Sequence, residues 1–258
     1  MKRIYILLFA LLPLFALTSC KMEESEERSS MNLANLIYYR SNRDMEFAAK
    51  CLMDAVNFSQ VLSAESEEKR AEYLDFFFPG ATLTQRDDVY TLKSTTAYGT
   101  YTSLKFSTGG VALGQGEWRV EYNSGDSYEL TLSPKSGKYI NAELTFFNRD
   151  SEGVANLKFE HGYIDSVYNS DIRVGEIVIF GELTALDKQA SETLPVTIRT
   201  GIVSPLSYDY NMQYFSLGMV NIICHDALYN ATDEVRAEYF VNPRRAVIEC
   251  NGGSWIVV

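Results

Sequence analysis

From Thr82 to the C-terminus the sequence keeps a two-residue period, and the links between its runs are too short to carry a chain across a sheet. Tyr128, Leu130 and Leu132 fall on one side of a strand, with Glu129 and Thr131 on the other. In the next run Ile140, Ala142, Leu144 and Phe146 alternate against Tyr139, Asn141, Glu143 and Thr145. That alternation marks strands with one dry face. The runs are separated by turn clusters such as NSGD, SPKSG, NRDSEG and NGG. Parallel neighbours need crossovers of about a dozen residues, so links of this length join antiparallel strands. Roughly a dozen strands follow, too many for one flat twisted sheet, and the sheet is expected to curl. The fold class is therefore α+β and mostly β: N-terminal helices, then a large antiparallel meander curled into a barrel, a half-barrel or a two-layer sheet.

The helical part precedes that switch of period and covers residues 32–78. In the run DMEFAAKCLMDAVNFSQVL, residues Ala48, Cys51, Leu52, Ala55 and Ser59 recur at helical spacing. Ser41 with Asp44 three residues on resembles a capping box, placing a helix start there. A second helix is expected from Ala64 to Phe77, with Glu65 placed to pair with Lys69 and Pro79–Gly80 as its stop. The helices would cover the open face or mouth of the sheet, and residues 32–258 form one domain, 32–78 helical and 82–258 β.

Catalytic chemistry is thin. No nucleophile elbow, zinc-binding helix, phosphate loop or dinucleotide fingerprint occurs. Cys224, His225 and Asp226 are adjacent, and adjacent strand residues point to opposite faces, so they do not converge on one metal. His161, before Gly162, reads as a strand-end residue. Asn148, Asp150, Glu152 and Gly153 imitate the front of a calcium loop, but its closing Glu would fall at Phe159, and the segment reads as a hairpin turn. VALGQGEWRV and IECNGGSWIV, around Trp118 and Trp255, agree at three of ten positions, which two convergent hairpins account for. No cofactor or metal site is assigned.

The aromatic content is the remaining signal, with seventeen Tyr and fourteen Phe. SPLSYDYNMQYFS places Tyr208, Tyr210 and Tyr214 in a Pro-, Ser- and Asn-rich stretch, expected to be a loop between two strands. Exposed there, the three rings would bind a glycan or a peptide.

The first thirty residues fix the expected location. Lys2 and Arg3 precede fourteen apolar residues, Ile4 to Leu17, and then Thr18, Ser19 and Cys20. This has the charged, apolar and small-residue regions of an export signal over residues 1–19, and it is shorter than the roughly twenty residues a membrane-spanning helix needs. LTSC resembles the lipobox of bacterial lipoproteins. The resemblance implies that Cys20 becomes the first residue of the finished chain and carries the acyl chains, palmitate among them, that hold it to a membrane. The stretch KMEESEERSS after it is polar and acidic, so residues 20–31 are expected to be a flexible tether. An acidic cluster after the lipobox resembles the signal that sends Bacteroidetes-type lipoproteins to the outer face of the outer membrane, with the periplasmic face as the alternative.

Removing residues 1–19 takes away two basic residues and no acidic one, leaving 21 basic and 34 acidic residues and a net charge of −13. Such a surface repels phosphate backbones, which excludes nucleic acid as a partner. Cys20 apart, Cys51, Cys224 and Cys250 remain. Cys224 and Cys250 lie two strands apart, about 9.6 Å, beyond the roughly 7 Å a disulfide spans, so three free thiols are expected. The sequence leads to a surface lipoprotein with a non-enzymatic binding or adhesion module. A lipocalin-like or half-barrel carrier of an apolar ligand is the alternative, and a hydrolase with an unrecognised carboxylate site is the third reading.

Overall fold

The computed structural model describes residues 2–87, 89–94, 101–106, 116–122, 124–134, 139–160, 176–188, 196–209, 213–227, 229–241 and 244–257. Side chains are described from Ser30 onward, except those of residues 94, 101–106, 134, 160 and 176. The molecule is one antiparallel sheet wrapped around one helix.

Helix α1 runs from Lys2 to Leu62 and α2 from Glu67 to Phe77. The stretch expected to be a tether is thus helical in backbone, which its Glu, Lys and Met residues favour as good helix formers. Nor does a helix begin at Ser41. Ser41 and Asp44 lie inside α1, buried, where Ser41 Oγ meets Thr200 Oγ1 and Asp44 Oδ1 accepts a 2.7 Å hydrogen bond from Ser151 Oγ. Their three-residue spacing puts two polar groups on one helix face and mimics a capping box. The second helix begins three residues later than expected, capped by Ser66, whose hydroxyl accepts from Lys69 N at 3.1 Å. Lys69 pairs with Glu72 and Arg70 with Glu67, in place of the expected pair with Glu65.

Among the described residues the sheet has thirteen strands in sequence order. They are β1 Ala81–Arg86, β2 Val89–Ser94, β3 Tyr101–Phe106, β4 Gly116–Tyr122, β5 Ser127–Pro134, β6 Tyr139–Phe147 and β7 Ser151–Glu160. The rest are β8 Glu176–Asp187, β9 Val196–Asp209, β10 Tyr214–Asp226, β11 Ala231–Val241, β12 Arg244–Cys250 and β13 Gly253–Val257. Every pairing is antiparallel. Among the described residues no ladder joins β13 to β1. The sheet is open and curled, the half-barrel of the expected alternatives.

The alternation sets the register. Trp118, Leu130, Leu144, Ala155, Leu183, Thr200, Ile222 and Val235 are successive cross-strand partners, all buried on the inner face. A one-residue slip anywhere along this row would turn a strand's apolar set outward.

Helix α1 fills the space that the sheet encloses. All residues from Cys51 to Ser59 are buried, so for more than two turns the helix has no solvent face. Phe58 packs edge-on to Phe78, Tyr90 and Trp118, with ring centroids 5.8–6.3 Å away, and Phe47 packs on Tyr122 and Phe146. Arg40 reaches Asp187 on β8 at 2.8 Å, and Tyr239 on β11 donates to Asn42 Oδ1 at 2.9 Å. One helix is therefore gripped by strands from β2 to β11.

Such wrapping needs bends, and two glycines supply them. Gly181 in β8 has φ +118°, and a Cβ there would lie 2.1 Å from the carbonyl oxygen of Asn156. Gly218 in β10 has φ +110°, and a Cβ there would lie 2.3 Å from that of Pro205. The ladders shift register at both places. Backbone approaches of this kind admit only glycine. Pro205, within β9, sits beside this irregularity, where a strand tolerates a missing N–H. Beyond the bends, the far ends of β9 and β10 fold back over α1.

Among the described residues no helix is long and apolar enough to cross a membrane. Cys51, Cys224 and Cys250 are buried free thiols, and Cys224 and Cys250 stand on the inner face two strands apart, as the alternation required.

Candidate functional site

One stripe of α1 escapes the wrap. Asn42, Arg43, Glu46 and Lys50 succeed one another at helical spacing and are only partly buried, while Ala48, Ala49 and Cys51 beside them are fully enclosed. The bent β9–β10 hairpin meets this stripe from one side. The β4–β5 and β6–β7 turns, at the opposite ends of their strands, meet it from the other.

Between them lies a cleft of about 270 Å³. Its floor is Arg43, Glu46, Phe47 and Lys50 of α1. Asp126, Asn148, Arg149 and Asp150 form one wall, Tyr208 and Gln213 the other. The wall of turns is built by local hydrogen bonds. Asn148 Oδ1 accepts from the amides of Asp150 and Ser151 at 2.9 and 2.7 Å, closing the hairpin with an Asx turn. Asp126 Oδ1 accepts from the amide of Arg149 at 3.0 Å and ties the two turns together. The NRDSEG segment is thus the hairpin turn that its composition indicated.

Most charges in the cleft already have partners. Arg43 Nε lies 2.9 Å from Asp44 Oδ1, and its Nη1 lies 3.9 Å from Asp150 Oδ2. Lys50 Nζ lies 2.7 Å from Asp54 Oδ2, which also accepts from Tyr122 Oη at 2.6 Å, and the ammonium stands 4.5 Å above the Tyr122 ring. Glu46 is different. Burial pushes its carboxyl up to about 7 from an ordinary 4.5, against the opposing pull of a hydrogen bond to Asn42 and of the Arg244 charge. Asp44 is also raised by burial, against its bonds to Arg43 and Ser151.

A second recess, about 90 Å³, lies on the other side of Glu46 against Tyr38, Asn42, Tyr214 and Tyr239. There the Arg244 guanidinium stacks 4.1 Å above the Tyr214 ring. A third depression, about 690 Å³, lies on β10 to β13, where Arg236 and Glu249 face each other at 3.9 Å. It is a broad polar hollow with no convergent reactive groups among the residues that line it.

The expected exposure of Tyr208 and Tyr214 on a loop needs correction. Tyr208 is the last but one residue of strand β9 and is 1% exposed, its ring packed on Phe215 at 5.2 Å, so it is no exposed loop ring. Tyr214 begins β10, half-buried beneath Arg244 in the second recess. The strands continue through the Pro- and Ser-rich stretch because β9 bends at Pro205 and does not stop there. Tyr210 and His161 lie outside the described residues, as does the first half of VALGQGEWRV. Cys20 lies within α1, in the part whose side chains are not described. His225 is exposed and Cys224 buried, the opposite faces that alternation demands. Among the described residues no three His, Cys, Asp or Glu side chains converge to hold a metal. Sequence reasoning missed Glu46 and Arg43. Their signal was a charged stripe, Arg43, Glu46 and Lys50, running through an otherwise apolar helix.

No protein-family model, no curated protein and no solved structure matches this chain.

Proposed function

We propose that this chain is a lipid-anchored protein of the bacterial cell envelope, held in the outer membrane through Cys20 and displayed on its outer face, with a body that binds or adheres and does no chemistry. The observation that carries this reading is the leader: two basic residues, fourteen apolar ones and LTSC ending in Cys20.

The geometry favours a surface binder over the two alternatives. A carrier needs an apolar cavity between sheet and helices, and here that space is taken by Leu52, Val56, Phe58 and their neighbours on α1. A carboxylate hydrolase needs a pair of acids free to act on one substrate. Of the acids that line the cleft, Asp126 is bonded to the Arg149 amide and to Ser124, and Asp150 faces Arg43 at 3.9 Å, which leaves Glu46 without an acidic partner for such a pair. Asp44 and Asp187 have fully buried side chains, each held by an arginine.

Feeding cells labelled palmitate tests the anchor. The wild-type chain should take up label and fractionate with outer membranes, and Cys20→Ala should lose both properties. Label and membrane retention in Cys20→Ala would refute the anchor. Digestion of intact cells with an external protease distinguishes outer from periplasmic display.

A further inference from the structure

We propose that the cleft beside Glu46 binds a single uncharged sugar residue, hydrogen-bonded by Tyr208, Gln213, Glu46 and Arg149. This deepens the binding reading above, on which it rests, by giving it a site and a ligand class.

These four line the cleft with hydrogen-bonding capacity to spare, and so does Arg43 in its floor. The Tyr208 hydroxyl lines the cleft without a partner among the described residues, and the buried donor left unsatisfied there is Arg43 Nη2. A buried donor left unpaired is costly, and an acceptor oxygen entering the cleft relieves that cost. Gln213 stands at the hairpin with φ +54° and no side-chain partner among the described residues. The Arg149 amide is tied to Asp126, but its guanidinium is without an ion pair among the described residues.

The charge pattern selects the ligand's chemistry. Arg43 is matched by Asp44 and Asp150, and Lys50 by Asp54. Arg149 adds one positive charge unpaired among the described residues, but the lining as a whole mixes three basic side chains, Arg43, Lys50 and Arg149, with three acidic ones, Glu46, Asp126 and Asp150, so an ion of either sign would meet charges of its own sign. A hydroxyl group both donates and accepts. So do the Tyr208 phenol, the Gln213 amide and a Glu46 carboxyl that near neutrality exists in both protonation states. Size narrows the choice further. At about 30 Å³ per water, 270 Å³ holds roughly nine water-sized groups, about one hexose ring and not a chain. Phe47, half-buried in the floor, offers a sugar ring an apolar patch.

The full chain in a sugar-free detergent is titrated with glucose, galactose, mannose and N-acetylglucosamine by saturation-transfer NMR and calorimetry, with glycine and inorganic phosphate as comparators. At least one sugar should bind, and glycine and phosphate should not. Tyr208→Phe, which removes only the hydroxyl, should weaken that sugar about fivefold or more without lowering the melting temperature. Arg149→Ala, at an exposed turn, should do the same and stands in if Tyr208→Phe fails to fold. Binding of none of the four sugars, binding of glycine or phosphate in their place, or sugar binding that a folded variant leaves unchanged would each overturn the assignment. Palmitate labelling through Cys20 would stand regardless, so failure of the site and failure of the anchor are told apart.

Discussion

Glu46→Gln should make the protein more stable, and only at neutral and alkaline pH. In the folded chain burial holds the Glu46 carboxyl near 7, whereas in the unfolded chain it returns to about 4.5. The folded state therefore keeps a proton that the unfolded state has lost throughout that window. Stability from this site is intact below pH 4.5, falls as pH rises toward 7, and stays low above it. The two values differ by about 2.5, and at 1.36 kcal/mol for each pKa unit the wild type loses about 3 kcal/mol across the window. The amide of the variant would keep the side-chain shape and a hydrogen bond to Asn42 but would not ionise. Asp44, also raised by burial, titrates in both proteins, so its contribution cancels in the difference. Urea unfolding followed by the fluorescence of buried Trp118, at half-unit steps from pH 4.5 to 8.5, reads the gap between variant and wild type. It should widen by about 3 kcal/mol over the series with unchanged m-values. A gap that stays constant to within about 0.5 kcal/mol would show that Glu46 is solvated in the folded state and that the stripe of α1 is not enclosed as described.

Phe58→Ala should cost about 3–5 kcal/mol in denaturant unfolding, because Phe58 is fully buried against Phe78, Tyr90 and Trp118; a loss under about 1 kcal/mol would mean that α1 is not gripped there. Gly218→Ala should destabilise by more than about 2 kcal/mol, while Gly201→Ala, whose nearest neighbour to a new Cβ is 3.9 Å away, should change stability by less than about 1 kcal/mol. Equal effects at the two sites would remove the bend in β10. In a Cys20→Ala background, native protein should resist thiol reagents and denatured, unreduced protein should expose three thiols, since Cys51, Cys224 and Cys250 are buried and unbridged. A count of one would reveal a disulfide.

The sheet was legible because alternation is a local property: Tyr128, Leu130 and Leu132 announce their face without knowledge of any partner strand. Strand order was legible too, since short links leave only neighbours to pair with. Helix α1 was half legible. The spacing of Ala48, Cys51, Leu52, Ala55 and Ser59 marks one apolar face, but Asp54 and Asn57 hide the fact that the other face is also buried. Their polarity is tolerated because the sheet brings partners such as Tyr122 to Asp54 from 68 residues away. The cleft was illegible for the same reason. It joins Asp126 and Asn148 to Tyr208 only because β8 and β10 bend at Gly181 and Gly218, and an isolated glycine in a strand pattern does not say which way the strand will turn.

The order of the strands also governs how the protein can be made. Each ladder links neighbours in sequence, so the chain can zip its sheet hairpin by hairpin with small loop-closure cost. The helix inside is another matter. Ser41 meets Thr200, 159 residues later, and Asn42 meets Tyr239, 197 residues later. A chain emerging N-terminus first therefore presents α1 long before its enclosure is ready. Until β9 to β11 arrive, both the helix and the dry face of the early strands are open to water and to other chains. Folding speed should then depend on the last strands and not on the first, and truncation after β8 should yield a sticky, helix-exposing species instead of a smaller stable domain.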